Sequence, residues 1–368
     1  MMFAGLRIGL VGPLPPPAGG MANQTRQLAR LLSEGGAEVV VVQTNAPYRP
    51  EWIGGVRGLR AAFRLIPYLM ALWRAAGRVD LFHVMANSGW SWHLFAAPAL
   101  RLARLRGIPA IVNYRGGEAA GFLRESAASV GAAMRGGTLL AVPSGFLQEV
   151  FGRHGMRAEV IPNIVDLDRF RPAPARAVAA PHLIVARNLE SIYGNDIAIR
   201  ALPAIRAACP GARLTIAGSG PELAALTRLA AEQGVAEAVR LTGRLEPDAM
   251  AALYREADLV LNPTRVDNMP NSVLEAMASG VPVVSSAVGG VPFVIQDGVT
   301  GLLVRPDDAQ ALAEAAIALL GDEPRRVALR ERALAEVSRY AWREVAPLWR
   351  DAYGRLIERK PHGLARTA

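Results

Sequence analysis

Short aliphatic runs alternate with longer amphipathic stretches along the chain, and the two periodicities predict different elements. Arg7–Val11, Glu38–Gln43, Asp80–Val84, Ala110–Asn113, Leu139–Val142 and Glu159–Ile161 are aliphatic or β-branched runs set off by glycine or proline, which predicts buried strands. Between them, Ala22–Ser33, Val56–Ala76, Trp92–Leu105, Ala119–Met134 and Gly145–Phe151 predict helices. Strands then follow at Leu183–Val185, Leu214–Ala217, Val239–Thr242, Leu259–Asn262 and Val283–Ser285. Helices at Asn195–Ala208, Glu222–Glu232, Asp248–Glu256, Ser272–Ala278 and Ala309–Leu320 separate them. Continuous apolar strands alternating with helices imply an α/β chain with parallel sheets covered on both faces. Periodicity lapses between Asp166 and Pro181, where Pro172, Pro174 and Pro181 mark a linker. The expected organisation is a doubly wound domain at 1–165, a linker at 166–181 and a second doubly wound domain at 182–340. A helical stretch, Arg325–Glu358, is long enough to return to the first domain, so 341–368 is expected to form that returning helix and a frayed tail. In such sheets ligands bind at the carboxyl ends of the strands, which directs attention to the loops there.

The length of 368 residues agrees with two cores rather than one, and 51% apolar with 20% charged residues excludes a disordered chain. A single cysteine, Cys209, cannot form an internal disulfide and suits a reducing cytoplasm. It also removes any cysteine-based zinc site, and the five scattered histidines have no ligand-like spacing, so no metal is expected. The formal net charge is +9, and lysine contributes only Lys360. All of that excess falls in residues 1–165; the remainder is balanced, so an anionic partner should meet the first domain. Ile8–Gly12 is too short for a signal-peptide core, and Leu65–Trp73, between Arg64 and Arg74, is far short of the ~20 residues that span a bilayer. A cytoplasmic protein, at most peripheral at the inner membrane face, is expected.

Three loops carry candidate chemistry. The first strand runs into a proline-rich loop ending in Gly19-Gly20 before a helix, where amides and the helix dipole suit an anion. It is neither a dinucleotide fingerprint nor a P-loop, and an ordinary Pro/Gly loop is the alternative. Leu214–Ala217 leads into Gly218-Ser219-Gly220-Pro221-Glu222, again a strand, a glycine pair and a helix start. After the strand ending at Asn262, Asp267 lies on a loop and Glu275 on the next helix, with Asn271 and Ser272 as candidate N-caps. Two acceptors beside a positively polarised helix end make a socket for a sugar nucleotide, whose hydroxyls donate and whose phosphates accept.

The run Glu275-Ala276-Met277-Ala278-Ser279-Gly280-Val281-Pro282-Val283-Val284 resembles the signature of the family-4 retaining glycosyltransferases, whose acidic pair has the E-x7-E spacing seen here in Asp267 and Glu275. The resemblance covers nearly the whole chain. It takes in Gly19-Gly20, Val160–Asp166 followed by Phe170, Ala186-Arg187-Asn188-Leu189, Gly218-Ser219-Gly220-Pro221 and Val288–Gly301. It implies the GT-B fold, two Rossmann-like domains facing across a cleft that closes on the donor, and a nucleotide diphosphate sugar as donor substrate, UDP- or GDP-linked, with no cofactor. By that resemblance Glu275 binds the nucleotide ribose, Asp267 the hydroxyls of the transferred sugar, and the amides of Asn268, Met269, Pro270-flanked Asn271 and Ser272 the sugar or phosphate. Arg187 stabilises the departing diphosphate, and Gly19, Gly20, Gly218 and Gly220 line the donor.

Three departures qualify the resemblance. The family usually carries a lysine five residues after its arginine; here Arg187–Gly194 has no lysine, and the resemblance puts the neighbouring, uncharged Tyr193 beside the phosphate instead, leaving more to Arg187. Asp267 is one methylene shorter than the usual glutamate. Many members have His-Gly near the transferred sugar, where this chain reads Asn113-Tyr114-Arg115-Gly116-Gly117, and Arg115 cannot act as a base at neutral pH. His83, near a strand end, reads as structural or acceptor-facing.

Within 48–78, six arginines are interleaved with Trp52, Phe63, Leu65, Ile66, Tyr68, Leu69, Met70, Leu72 and Trp73, which suits an anionic membrane surface unless the apolar side packs on the first sheet. No nucleic-acid motif accompanies the arginines. The expected activity is therefore retaining transfer of a sugar to a polysaccharide or lipid-linked saccharide. A catalytically silent sugar-nucleotide-binding partner and a sugar-nucleotide 2-epimerase are the alternatives.

Overall fold

The computed structural model describes residues 1–16, 19–47, 59–174 and 180–358, with 59–62 described by their backbone alone. Two compact units result, one formed by Met1–Asn163 with the chain from Val345 onward, the other by Ile164–Glu344.

In the first unit, strands β1 (Arg7–Gly12), β2 (Glu38–Gln43), β3 (Leu81–Ala86), β4 (Ala110–Tyr114), β5 (Thr138–Val142) and β6 (Glu159–Val160) form one sheet in the order β2-β1-β3-β4-β5-β6. Each pairing is parallel, from Arg7 opposite Glu38 to Val142 opposite Val160. The connections are α1 (Gly20–Glu34), α2 (Leu59–Ala76), α3 (Ala97–Leu105), α4 (Ala119–Ala133) and α5 (Gly145–Gly152). A π-helical turn, Trp92–Ala96, leads into α3, so the stretch expected as one helix from Trp92 begins with a wider turn. The central strands β3 and β4 are buried at every position, as their unbroken apolar runs require.

In the second unit, β7 (His182–Val185), β8 (Arg213–Ala217), β9 (Val239–Gly243), β10 (Leu259–Asn262), β11 (Val283–Ser286) and β12 (Leu302–Val304) lie in the order β12-β11-β10-β7-β8-β9, again parallel. They alternate with α6 (Asn195–Ala208), α7 (Leu223–Glu232), α8 (Pro247–Glu256) and α9 (Asn271–Ala278), and α10 (Ala309–Gly321) and α11 (Glu323–Val337) follow. The sequence pattern did not predict β12, whose three residues are too few to show a period. Val165 and Phe170 are packed into this unit's core, Phe170 edge-on to Tyr254 at 5.8 Å.

The helical stretch expected from Arg325 to Glu358 is two helices. Between α11 and α12 (Trp342–Glu358) the chain makes a 3-10 turn, Ser338–Tyr340, and an extended residue, Ala341. The break lets Tyr340 bury its ring in the second core while its carbonyl accepts from the Val165 amide at 3.0 Å. Helix α12 then joins the first unit through one apolar face, Val345, Ala346, Trp349, Ala352, Tyr353 and Leu356, all spaced for a single side of a helix. Trp349 is fully buried with its ring 4.7 Å from that of His83 on β3, and Tyr353 stacks on Trp349 and meets Phe3 edge-on. Arg355 also pairs with Glu159 of β6.

Trp349 should therefore be a principal anchor of the first unit. Trp349→Ala is expected to destabilise that unit by about 3–5 kcal/mol, seen as a lower urea midpoint, through lost burial and the cavity left behind. Trp349→Phe should cost much less, since the indole Nε1 is buried without a hydrogen-bond partner. Equal losses in the two variants would refute this account.

Candidate functional site

In the second unit the neighbouring strands β10 and β7 continue away from each other, toward β11 and β8. That divergence is the topological switch point of a doubly wound sheet, where connecting loops separate and leave a crevice at the carboxyl ends of the strands. The loop after β7 carries Arg187 and the loop after β10 carries Asp267, so the fold itself brings them together. Arg187 Nη2 donates to Asp267 Oδ2, Arg187 Nη1 donates to Ser272 Oγ at 3.4 Å, and both charged side chains are 12% exposed. The guanidinium also lies over the Tyr193 ring, 4.1 Å from its centroid. Tyr193 thus holds the arginine by its π face and adds no charge of its own. Asp267 does two things at once: Oδ1 caps its own loop by accepting from the Asn268 amide at 2.8 Å, and Oδ2 faces the arginine.

Glu275 sits on α9, four residues after its start at Asn271. Its Oε2 accepts from Tyr254 Oη at 3.2 Å, and the same hydroxyl also donates to the Ser272 carbonyl at 3.0 Å. Burial raises the Glu275 pKa to about 7, against the Tyr254 hydrogen bond and the Arg187 charge, which both favour the carboxylate. Tyr254 was not singled out from the sequence, because its position on the apolar face of α8 reads as core; the face does pack, and the hydroxyl at its end reaches the acidic helix.

The loop 263–272 is held from several sides. The Arg265 amide and the Thr264 hydroxyl both donate to the Ile192 carbonyl, at 2.8 and 3.2 Å. The Arg265 side chain bonds Asp196 at 2.9 and 3.1 Å, Asp307 at 2.6 Å and the Ser191 carbonyl. This clamp was also missed, since an arginine in a loop carries no periodic signal. Gly290 donates to the Asp267 carbonyl at 2.9 Å, and a Cβ there would lie 1.7 Å from the Asn268 carbonyl oxygen. Asn271 is not an N-cap: the cap residue is Pro270, and α9 begins at Asn271 with no side-chain cap. The reason is that the Pro270 carbonyl already accepts from Val273 and Leu274, at 3.1 and 3.3 Å. Asn268, Met269, Pro270 and Ser272 are buried, so this stretch offers backbone rather than side chains to a ligand.

Gly218 and Gly220 press against the basic loop. A Cβ on Gly218 would stand 2.0 Å from the Arg187 carbonyl oxygen, and one on Gly220 2.3 Å from that of Leu189. Close backbone approach therefore explains both glycines, and it sets the path of the chain at Arg187.

The first unit has its own switch point between β1 and β3. Gly19, extended with φ −147°, is the cap of α1, and a Cβ there would meet nothing within 4 Å. The start of this loop is braced by Asn45, which accepts from the Leu14 amide at 2.8 Å and donates to its carbonyl at 2.7 Å. Arg115, just past β4, is linked to α1: Nη1 donates to Gln24 Oε1 at 3.3 Å and to Asn163 Oδ1, while Nε donates to Asn113 Oδ1 at 3.1 Å. Burial lowers the Arg115 pKa to about 10, which leaves it cationic at neutral pH. His83 is fully buried, so it does not face an acceptor. Asp166, in the Asp166-Leu167-Asp168 run, accepts from the Arg169 amide at 3.1 Å. Among the described residues no three metal-ligating acidic, cysteine or histidine side chains come together.

Comparison with known proteins bears on the family and the fold. Residues 18–169 match the family model described as Glycosyltransferase Family 4, and residues 180–322 match the one described as Glycosyl transferases group 1. A D-inositol 3-phosphate glycosyltransferase of Nocardia farcinica is 32% identical over 222 residues, 56% of this chain and 49% of that protein. A GDP-mannose-dependent alpha-(1-6)-phosphatidylinositol monomannoside mannosyltransferase of Mycobacterium tuberculosis is 37% identical over 187 residues, 46% of this chain and 49% of that protein. The chain thus spans about half the length of these curated relatives. In fold it is similar to the sucrose-phosphate synthase structure from Thermosynechococcus elongatus, with a TM-score of 0.76 over 96% of this chain and 99% of that one, at 21% identity.

The raised Glu275 pKa has a consequence for stability. The folded protein holds a proton on Glu275 that the unfolded chain releases above its ordinary value of 4.5, so this residue's contribution falls as pH rises from 4.5 to about 7 and then levels off. Glu275→Gln, which keeps the shape without the charge, should therefore gain stability over the wild type across that window. Urea midpoints of the two proteins that keep a constant difference between those pH values would contradict the assignment.

Proposed function

The chain belongs to the family-4 glycosyltransferases and has their GT-B fold, and from that premise we propose that it moves a sugar from a nucleotide diphosphate sugar to a saccharide or lipid-linked acceptor, with retention at the anomeric carbon. The observation that carries the reading is the meeting of Arg187, Asp267, Ser272 and Glu275 at the switch point of the second unit. Glu275 is the acceptor for the ribose hydroxyls, and Tyr254 orients its carboxylate. Asp267 accepts from hydroxyls of the transferred sugar. As the bond to the leaving group breaks, negative charge grows on the diphosphate. The Arg187 guanidinium and the amides at the start of α9 offset it from fixed positions. Gly218 and Gly220 shape the chain at Arg187, and Gly19 and Gly20 border the open first loop. Arg115, cationic at neutral pH, is a hydrogen-bond donor toward substrate rather than a base. One relative named above is GDP-mannose-dependent, which makes a GDP-sugar the first donor to try, with UDP-sugars next.

Helix α2 supports a peripheral membrane partner. Tyr68, Leu72, Ala75 and Ala76 on one side are buried in the first core, while Phe63, Ile66, Met70 and Trp73 on another are about half exposed. The packing alternative therefore accounts for one face and leaves the second uncovered. Arg106 lies over the Trp73 ring at 4.3 Å, and the first 165 residues carry the whole positive excess, which suits an anionic leaflet. Of the stretch 48–78, residues 48–58 lie outside the described structure. No helix among the described residues is long and apolar enough to cross a membrane.

Calorimetric binding to a panel of GDP-, UDP- and ADP-sugars tests the donor site. One donor should be preferred, and Arg187→Ala and Glu275→Ala should each weaken it roughly ten- to hundredfold, as expected when a charged hydrogen-bond partner is removed. Binding should also tighten as pH rises through 7, because the carboxylate accepts hydroxyls better than the acid does, and Glu275→Gln should lose this dependence. A folded protein that binds no donor would sink the reading; binding with no turnover against any acceptor would identify a silent partner instead.

The membrane surface has its own test. The protein should sediment with phosphatidylglycerol-containing vesicles and much less with pure phosphatidylcholine, with salt weakening the association. An Ile66→Asp/Trp73→Asp double variant should abolish sedimentation and leave donor binding intact. Equal binding to both vesicle types, or an unaffected double variant, would count against it.

A further inference from the structure

A row of buried polar side chains runs from the carboxy-terminal helix to Arg115. His83 of β3 is fully buried, with Nδ1 2.8 Å from Tyr353 Oη of α12 and Nε2 3.0 Å from Asn113 Nδ2 of β4. Tyr353 and Asn113 are themselves fully buried. The other end of the Asn113 carboxamide, Oδ1, accepts from Arg115 Nε at 3.1 Å. Tyr353 and His83 are 270 residues apart in sequence, so the contact exists only because α12 returns to this sheet.

The chemistry of the groups fixes the orientation of the Asn113 carboxamide and the position of the His83 ring proton. A guanidinium has only donors, so the Asn113 atom facing Arg115 must be the carbonyl oxygen. The amide nitrogen therefore faces His83, and it also lies 3.5 Å from the weak acceptor Met85 Sδ. An amide NH2 likewise has only donors, so His83 Nε2 must be bare and the ring proton must sit on Nδ1, from which it donates to Tyr353 Oη. Reversing Asn113 would set two donors against each other at Arg115. Burial first, then the Arg115 charge, lowers the His83 pKa to about 3, so the ring stays neutral and keeps this pattern. Trp349 and Tyr353 pack against the imidazole and hold its plane.

We propose that Tyr353, His83 and Asn113 are positioning residues for Arg115, and that their hydrogen bonds lock His83 in the Nδ1–H tautomer and aim the guanidinium from the carboxy-terminal helix. The catalytic consequence rests on the substrate-facing reading of Arg115; the tautomer does not. Gln24 and Asn163 hold Nη1, and the row from α12 holds Nε, so the guanidinium is gripped at two corners. A planar group held at two corners has its remaining donors set in direction.

Long-range proton–nitrogen NMR of the histidine rings in the full-length protein reads the tautomer directly, with His83→Gln identifying the signal. The His83 ring should be neutral, protonated at Nδ1 and insensitive to pH between about 5 and 8. Tyr353→Phe should keep the Nδ1–H form, because Arg115 still fixes Asn113 with its NH2 toward Nε2, whereas Arg115→Met should bring in the Nε2–H form by freeing Asn113 to turn. An Nε2–H ring in the wild type, or a tautomer unchanged in Arg115→Met, would overturn the proposal. In turnover, Tyr353→Phe should lower kcat about tenfold with the donor KM unchanged, as expected for loss of orientation at a reacting centre. Phe3→Leu, which disturbs the packing on the same tyrosine ring without touching the row, should leave kcat alone. A kcat loss equal in both variants would make Tyr353 a packing residue only. If no donor supports turnover, the transferase reading has failed, and the NMR result still decides the row.

Discussion

Parallel pairing of β7 with β10, Leu183 opposite Leu259 and Ile184 opposite Val260, joins strands from distant parts of the chain. From that pair the chain proceeds outward in opposite directions, to β8 on one side and β11 on the other. No connecting helix can cover the gap between the two departing loops, so whatever those loops carry faces one crevice. Arg187 and Asp267 are what they carry. The glycines at 218, 220 and 290 let three backbone segments close on these loops, and Arg265 ties the second loop to the turn after the first. The site is thus a product of sheet order, with side chains added at the places that sheet order leaves open.

The electrostatics of that crevice turn on shielding. A guanidinium only 12% exposed must have its charge answered nearby, and it has a carboxylate, a hydroxyl and an aromatic face around it. Tyr193 adds no charge, so the positive potential of the crevice comes from one arginine and a helix start. The neighbouring Glu275 is pushed toward neutrality by the same burial, with the Tyr254 hydroxyl as the group that partly resists. A shielded cation beside a carboxyl group raised by burial keeps its field inside the crevice, whereas an open surface pair would be screened by water and salt.

The first unit follows another logic. Its cation, Arg115, donates to the carboxamide oxygens of Asn113, Gln24 and Asn163, which orient it. One of these amides passes the constraint inward through His83 to α12. The carboxy-terminal helix therefore does more than cover apolar surface: Trp349 supplies burial and Tyr353 supplies a hydrogen-bond acceptor to the same imidazole.

Strand and helix positions were legible along most of the chain because parallel sheets buried on both faces write continuous apolar runs, and the helices between them write a 3.6-residue period. The acidic spacing of Asp267 and Glu275 and the glycine pairs were equally readable, since they depend on short stretches of chain. Strand β12 and the break at Ser338–Ala341 were not, the first for being shorter than any period and the second because it is set by where Tyr340 and α12 must pack. Tyr254, Arg265, Gln24 and Asn163 escaped for a related reason: each acts through a partner brought near by the fold, and local pattern says nothing about distant neighbours. Local periodicity and short motifs were thus enough for most of the elements and for the family. Which side chain orients which, the tautomer of His83 and the pKa of Glu275 depend on burial and on contacts between residues tens to hundreds apart, and those exist only once the chain is folded.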